Sequence, residues 1–350
     1  IDGVMQDGLA VPRKAQASLI SRIKIMADMD IAEKRSPQDG RISATVDGKQ
    51  YDFRVSTLPS VYGEKVVLRV LDKSSLSIGL NRLGFLSETQ DMFESIISRT
   101  YGIILVTGPT GSGKSTTLYS VLHKLNSGEK NILTIEDPVE YELAGVTQTQ
   151  VNVRAGLTFA SGLRTMLRQD PDIIMVGEIR DQETATTAVE AALTGHLVLS
   201  TLHTNDAPGA ITRLQEMGIE PFLIGSSVIG VLAQRLLRVI CPKCKENYMP
   251  PRDAIKRLGI NIDDGTDVTF SRGKGCDHCR GTGYKGRVGV YELMPMTDKI
   301  RDLVMAKASS FAIKEAAIEA GMRTLKDDAM QKILLGITSL EESMRVIYSG

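Results

Sequence analysis

The chain of 350 residues has no tryptophan, only four cysteines and four histidines, and no surplus of either charge. Its 42 lysines and arginines balance 42 aspartates and glutamates, which disfavours a protein that coats nucleic acid through a basic surface. Four cysteines are too few for a disulfide scaffold in a chain of this length. The richest apolar stretches, residues 103–106 and 197–199, have the length of a strand and not of a membrane span. We therefore expect a globular protein of a reducing compartment, by default the cytoplasm, without a transmembrane segment.

The composition is otherwise that of an ordinary globular protein, with 42% apolar and 24% charged residues. Because the length exceeds what one hydrophobic core usually covers, we expect more than one domain. Residues 1–72 predict a small α+β domain, with a helix over residues 15–29 and a hairpin around Asp47-Gly48, followed by a strand over 65–71. Small and polar residues at 73–82 are typical of a linker.

Residues 83–350 show a different pattern, in which short apolar strands alternate with helical stretches. The strands are predicted at residues 103–106, 131–135, 173–176 and 197–202. This alternation predicts an α/β fold with a parallel sheet flanked by helices. After about residue 235 the pattern weakens into an insertion, taken as 236–286, which a strand at 287–293 and helices over 297–350 follow.

Residues 108–115, Gly-Pro-Thr-Gly-Ser-Gly-Lys-Ser, match the phosphate-binding loop (P-loop) pattern G-x-x-x-x-G-K-[ST] between a predicted strand and a predicted helix. The glycines allow backbone N–H groups to turn towards phosphate oxygens, Lys114 supplies a positive charge, and the Ser115 hydroxyl can ligate Mg²⁺. We therefore predict a site for ATP and Mg²⁺. Its predicted contacts are Gly108, Pro109, Thr110, Gly111, Ser112, Gly113, Lys114, Ser115, Thr116 and, from a later strand, Arg287.

Two acidic residues follow predicted strands, at the edge where ligands bind in open α/β sheets. Glu178 ends the apolar run 172–178, which is the arrangement of a Walker B element, and is expected to activate the attacking water. Gly177 stands where many P-loop ATPases have an aspartate, so either Glu178 serves both roles or a second carboxylate comes from elsewhere. The run 135–140, which contains Glu136, supplies candidates for it, and a solvated acidic turn is the alternative.

Histidines bracket the strand predicted over 197–202. The spacing of seven residues between His196 and His203 places them on opposite faces of an extended strand. His203, at the end where ligands bind, is predicted to contact a γ-phosphate. For His196, function and a structural role are equally supported.

Several arginines have no local structural explanation, and guanidinium groups presented to a γ-phosphate promote phosphoryl transfer. A solvated surface role is the alternative. The candidates are Arg54 and Arg69 in the small domain and Arg164 and Arg168 before the Walker B strand.

The four cysteines form two Cys-x-x-Cys pairs with 31 residues between them. Two thiolate pairs can close a tetrahedral zinc site with no open coordination position, so the predicted role is structural. A redox dithiol is the less favoured alternative. The predicted ligands are Cys241, Cys244, Cys276 and Cys279.

Taken together, the P-loop, the segments 135–140, 175–181 and 195–205 and the paired cysteines closely resemble the secretion-superfamily ATPases. Within them the chain resembles the type IV pilus assembly (extension) ATPases and type II secretion ATPases, over essentially all of its length. The resemblance implies a RecA-like ATPase domain, a PAS-like small domain and a homo-hexameric cytoplasmic motor that turns a platform protein of the bacterial inner membrane. The family's first N-terminal domain is expected to be missing before Ile1.

The resemblance also implies roles for single residues. Glu136 corresponds to an Asp box, Glu178 to Walker B, and His196 and His203 to a His box. The four arginines correspond to phosphate sensors. Pilus retraction ATPases lack the tetracysteine element, so its presence favours pilus extension or secretion.

These observations favour a motor that drives type IV pilus assembly, recruited to the cytoplasmic face of the inner membrane. A type II secretion ATPase is the alternative. A DNA translocase with a similar sheet is more remote, because it would need a basic groove with aromatic residues. An intact Glu178 disfavours a nucleotide switch that hardly turns over. No nucleic-acid partner and no membrane insertion are expected.

Overall fold

The computed structural model describes residues 1–72, 79–250 and 269–348, and these residues form two compact units. The first comprises residue 1, residues 3–72 and Glu140–Glu142, and the second comprises the other described residues. Most of the linker predicted for 73–82, and the middle of the insertion predicted for 236–286, lie outside the described residues. Within the described ranges, no helix combines the length and the apolar character that a membrane span requires.

In its described residues the first unit contains one α-helix, α1 (Gln16–Met26), preceded by a short 3₁₀ turn, and one antiparallel sheet in the order β1-β2-β3. Its strands are β1 (Gln38–Val46), β2 (Lys49–Ser60) and β3 (Gly63–Asp72). Asp47 and Gly48 join β1 to β2, and both have the positive φ that a two-residue hairpin turn requires. The predicted hairpin is therefore confirmed. A small core around Ala27, Ile42 and Val55 holds the helix on the sheet.

The second unit is built on a seven-stranded sheet in the order β12-β9-β4-β8-β7-β5-β6. Neighbouring strands run parallel, except that β12 is antiparallel to β9. The central strands are apolar and buried along their length, as strands covered on both faces are. The strands are β4 (Gly102–Thr107), β5 (Ile132–Glu136), β6 (Thr147–Gln150), β7 (Ile173–Val176), β8 (Leu197–Leu202), β9 (Val228–Ile240) and β12 (Tyr284–Pro295). The predicted α/β fold with a parallel sheet is confirmed.

Helices cover both faces of this sheet and form two hydrophobic cores. One core contains Phe93 of α2 and Leu118 of α3, and the other contains Leu163 of α4 and Val189 of α5. The helices are α2 (Ser87–Ile97), α3 (Lys114–Leu125), α4 (Phe159–Met166), α5 (Gln182–Leu193), α6 (Ala207–Glu216), α7 (Pro221–Ser227), α8 (Asp298–Met305), α9 (Ser310–Glu319), α10 (Leu325–Leu334) and α11 (Leu340–Ser343). A short π-helix (Met344–Tyr348) ends the described chain.

Two strands differ from the sequence-based expectation. The ordered pattern was expected to weaken after about residue 235, but β9 continues to Ile240. Leu237 and Ile240 are buried, and β9 pairs with the antiparallel strand β12 along this stretch. The edge strand β6 has the sequence Thr-Gln-Thr-Gln, which gives no hydrophobic alternation to detect. A separate two-stranded ribbon, β10 (Lys245–Tyr248) with β11 (Phe270–Gly273), lies within the predicted insertion.

Candidate active site and metal centre

The P-loop connects β4 to α3, as its motif requires. Gly108, Gly111 and Gly113 all have positive φ, the last as the residue that precedes α3. The Ser112 hydroxyl is buried and has no hydrogen-bond partner among the described residues. Because buried polar groups are normally satisfied, this donor fits a loop that receives an oxygen-rich ligand. The residues present therefore fit a bound polyphosphate.

Lys114 is folded onto its own loop. Its Nζ donates hydrogen bonds to the carbonyl oxygens of Gly108 at 2.8 Å and Pro109 at 3.1 Å. Burial lowers the pKa of Lys114, whereas the charge of Glu178 acts in the opposite direction and that of Arg235 in the same direction. The ammonium group therefore lies within the field of the predicted catalytic acid, and it can exchange two carbonyl oxygens for phosphate oxygens.

Glu178 lies just beyond β7 and is largely buried, with 13% of its side chain exposed. Its Oε1 is 2.5 Å from Nη2 of Arg180, and its Oε2 is 3.4 Å from Nε2 of His203. His203 follows the neighbouring parallel strand β8, so the carboxyl ends of two strands bring the two side chains together. Arg180 was not singled out from the sequence, although its position two residues after Glu178 was a usable signal.

Glu136 ends β5, but its carboxylate is buried within the protein. Tyr119 of α3 donates its hydroxyl hydrogen to Oε2, and Thr134 and Gln148 donate to Oε1 at 2.6 Å and 3.1 Å. The side chain is only 4% exposed. In this arrangement Glu136 faces protein donors and not the open edge where the sequence placed it.

His196 lies at the opposite end of β8 from His203. Its Nδ1 is 2.8 Å from the carbonyl oxygen of Ala191 and 3.2 Å from Oγ1 of Thr194, at the end of α5. These contacts match the structural role that the sequence left open for this histidine.

The register of the first sheet places three arginines side by side. Arg54 lies directly opposite Arg41 on β1 and opposite Arg69 on β3, so all three project from the same face. Nη1 of Arg54 is 3.2 Å from Oε2 of Glu140, which belongs to the same unit. Arg41 was missed from the sequence, although counting outward from the hairpin turn pairs it with Arg54.

The remaining predicted arginines contact other parts of the second unit. Arg164 forms an ion pair with Glu183 at 2.7 Å, and Arg168 donates a hydrogen bond to the Arg164 carbonyl at 2.8 Å. Arg287 is on β12, with its Nε 3.9 Å from Oδ1 of Asp2. All three arginines are exposed.

Arg235 on β9 also faces the candidate site and was not predicted. Its Nη2 donates to the backbone oxygen of Asn205 at 2.9 Å and to Oδ1 of the same residue at 3.2 Å. Asn205 follows His203 in the same segment. Burial lowers the pKa of Arg235, and the carboxylates of Glu292 and Asp206 oppose that shift. No local sequence pattern marks Arg235, because the alternation of strands and helices was expected to weaken after about residue 235.

The four cysteines come together between β9 and β12. Cys241 and Cys244 follow the end of β9, and Cys276 and Cys279 precede β12. Their sulfur atoms are 3.9 Å apart for Cys241 and Cys276, and 3.8 Å apart for Cys244 with Cys279 and for Cys276 with Cys279. A tetrahedron of thiolates with Zn–S bonds of about 2.3 Å has S–S separations of about 3.8 Å, so these residues fit zinc. Backbone N–H groups donate to Sγ of Cys244 and Cys279 at 3.2–3.3 Å, as in the outer shell of a metal site.

Comparisons with known proteins show clear sequence similarities. Residues 1–345 match the family described as type II/IV secretion system protein. The chain is 54% identical to the type II secretion system ATPase E of Vibrio cholerae over 99% of this chain and 68% of that protein. It is 53% identical to the type IV pilus assembly ATPase PilB of Thermus thermophilus over 98% of this chain and 38% of that protein.

Two solved structures have a similar fold. The pilus retraction motor PilT with bound ADP superimposes with a TM-score of 0.64 at 29% identity, covering 89% of this chain and 77% of PilT. The Legionella pneumophila ATPase DotB superimposes with a TM-score of 0.70 at 22% identity, covering 98% of this chain and 86% of DotB.

Proposed function

The chain belongs to the type II/IV secretion system protein family, and we propose that within it the protein is the motor ATPase of a type II secretion system. It is an ATPase, with Lys114 in the phosphate-binding loop after β4 and Glu178 beyond β7, at the carboxyl edge of the same sheet. The observation that carries the catalytic proposal is the contact of Glu178 with both His203 and Arg180 at that edge. In this proposal the motor acts at the cytoplasmic face of the inner membrane.

We prefer a function in type II secretion to the predicted function in pilus assembly. Several relatives named type II secretion proteins are 51–54% identical to this chain, and the chain spans 68% of each of the first five. It spans only 38% of the pilus assembly ATPase PilB. The prediction of a pilus assembly motor is therefore less well supported than its alternative, a type II secretion ATPase.

Each proposed catalytic role follows from a position in the site. Lys114 neutralises charge on the β- and γ-phosphates, and Glu178 orients or deprotonates the attacking water. His203 hydrogen-bonds either Glu178 or a γ-phosphate oxygen. Ser115, exposed at the start of α3, would hold Mg²⁺, which supplies charge neutralisation when it is bound. The four cysteines hold a structural zinc ion.

We also propose that the active form is a homo-hexamer working on an inner-membrane platform protein. The row of Arg41, Arg54 and Arg69 supports this proposal, because three guanidinium groups on one sheet face form a surface suited to a polyphosphate. Placing these side chains at the active site of a neighbouring copy would make hydrolysis depend on assembly.

The first experiment measures steady-state ATPase activity against protein concentration, for the wild type and for Glu178→Gln, with and without single-stranded or duplex DNA. Activity per protomer that rises with concentration, is lost in the variant and is indifferent to DNA supports an oligomeric secretion motor. Strong stimulation by DNA would contradict it in favour of a translocase.

A second experiment separates the two machines. In Vibrio cholerae, this chain replaces the corresponding segment of the type II ATPase. In Thermus thermophilus, it replaces the corresponding segment of PilB. Restored type II secretion without restored pili supports the proposal. Restored pili with no secretion would reverse the assignment.

A further inference from the structure

We propose that Gln234 is a positioning residue that holds the phosphate-binding loop in its ligand-binding shape, so that the affinity for ATP depends on its side-chain amide. Gln234 lies on β9 and is 1% exposed. It follows Ala233, which is the register partner of Thr107, the last residue of β4. The side chain is therefore placed where the loop leaves the sheet. This inference rests on the ATPase activity and not on which secretion machine the motor serves.

The amide of Gln234 joins the loop to the helix that follows it. Its Nε2 donates a hydrogen bond to the Ser112 carbonyl at 2.8 Å, and its Oε1 accepts one from the Thr117 hydroxyl at 2.8 Å. All three residues are buried, with at most 3% exposed. Because water does not reach these groups, the lost bonds cannot be replaced when the amide is removed.

The glycines of the loop show how closely it is seated on Gln234. A Cβ atom on Gly108 would lie 2.5 Å from the Gln234 carbonyl oxygen, and one on Gly113 would lie 2.8 Å from its Nε2. Such separations are far shorter than ordinary contacts. At both of these glycines the loop therefore lies directly against Gln234 on the neighbouring strand, against its backbone oxygen at Gly108 and its side-chain nitrogen at Gly113.

Fixing the loop bears on ligand affinity because the loop binds through backbone N–H groups. A loop that already has the bound conformation avoids the cost of ordering when phosphate arrives. The orphaned hydroxyl of Ser112 lies in the same residue whose carbonyl Gln234 holds. Loss of the amide donor should therefore weaken binding of ATP and ADP, while a bound nucleotide still meets an intact Glu178.

The test uses replacements that separate the two hydrogen bonds. Gln234→Glu has nearly the same shape and can still accept from Thr117, but its carboxylate cannot donate to Ser112 and repels the carbonyl oxygen. Thr117→Val removes only the second bond, and Thr117→Ser keeps the hydroxyl. Thr338→Val is the matched control. Like Thr117, Thr338 has a buried hydroxyl that donates to a residue of β9, in this case to the backbone oxygen of Arg238 at 2.8 Å.

Nucleotide Kd by equilibrium binding, KM and kcat for ATP, and Tm are measured for every variant. For Gln234→Glu with its carboxyl group ionised, we expect Kd and KM to rise about tenfold with kcat within about twofold, because a buried hydrogen bond is lost and the carboxylate repels the Ser112 carbonyl oxygen. Thr117→Val should show a smaller rise in Kd, and Thr117→Ser should match the wild type. Thr338→Val should lower Tm without changing Kd or KM.

A pH profile adds an independent readout. A protonated carboxyl group at position 234 can donate to the Ser112 carbonyl, so Gln234→Glu should regain affinity relative to the wild type as the pH falls. If Gln234→Glu lowers Tm but leaves Kd and KM unchanged even at a pH where its carboxyl group is ionised, the residue is only part of the core and the proposal is wrong. A fall in kcat with unchanged KM would also overturn it.

Discussion

The hydroxyl of Tyr119 donates a hydrogen bond to Oε2 of Glu136, which ties the helix after the phosphate-binding loop to the end of β5. Thr134 and Gln148 complete the shell around the same carboxylate. The second acid that the sequence proposes for the active site is therefore held by donors inside the protein. If Glu136 takes part directly in turnover, its carboxylate must give up at least one of these hydrogen bonds for a contact with the ligand or the attacking water.

Tyr119→Phe tests whether this arrangement restrains Glu136. Loss of this donor makes the buried position of the Glu136 carboxylate less stable, so the carboxylate leaves that position more readily. Turnover at saturating ATP should therefore rise about two- to fivefold, which corresponds to less than about 1 kcal/mol in the activation free energy. Nucleotide Kd should stay unchanged. Glu136→Gln in the same background should remove the gain. A large fall in kcat for Tyr119→Phe would mean instead that the bonded position of Glu136 is the active one.

Glu178→Gln should abolish hydrolysis while leaving ATP binding nearly intact. General-base assistance is typically worth about 10²- to 10⁴-fold, and the amide has no basic oxygen of comparable strength. His203→Ala should cost less, because the imidazole lies 3.4 Å from Glu178 and supports its orientation. Single-turnover kinetics and filter binding distinguish the steps. Hydrolysis that survives Glu178→Gln would move the catalytic role to another carboxylate.

Single replacements of Arg41, Arg54 or Arg69 by Gln should have opposite effects on stability and activity. Like charges opposite one another on a sheet are destabilising by a few tenths of a kcal/mol, so thermal stability at low salt should rise slightly. Arg41 and Arg69 are the cleaner cases, because Arg54 also pairs with Glu140. ATPase activity should fall at high protein concentration if the row senses phosphate in an assembled ring. Arg41→Lys serves as the charge-conserving control.

Removal of zinc should destabilise the second unit without abolishing nucleotide binding directly. Cys276→Ser should reduce the zinc content from one ion per chain and lower Tm by at least about 5 °C, because metal binding contributes to folding free energy. Metal analysis and thermal unfolding with and without a chelator measure both effects. Full activity and unchanged Tm in a zinc-free sample would contradict a structural role.

Local patterns specified much of this protein. The motif at residues 108–115 is contiguous, and its backbone must follow one path between a strand and a helix, so the phosphate-binding loop could be located without a structure. Apolar runs of strand length fixed the parallel sheet, and the turn at Asp47-Gly48 fixed the hairpin register. The spacing of the cysteine pairs sufficed to propose zinc, because two Cys-x-x-Cys pairs supply the four thiolates of a tetrahedral zinc site.

Relationships between distant segments could not be derived in this way. Glu136 was expected at an open edge, and only the packing of α3 against β5 shows that Tyr119 takes up its carboxylate. Gln234 and Arg235 carry no motif, and they matter because β9 lies beside β4 in the sheet order. The sequence determines which chemical groups are available at each position. The order of the strands and the burial of side chains decide which of these groups come together, because a hydrogen bond forms only between groups within a few ångströms of each other.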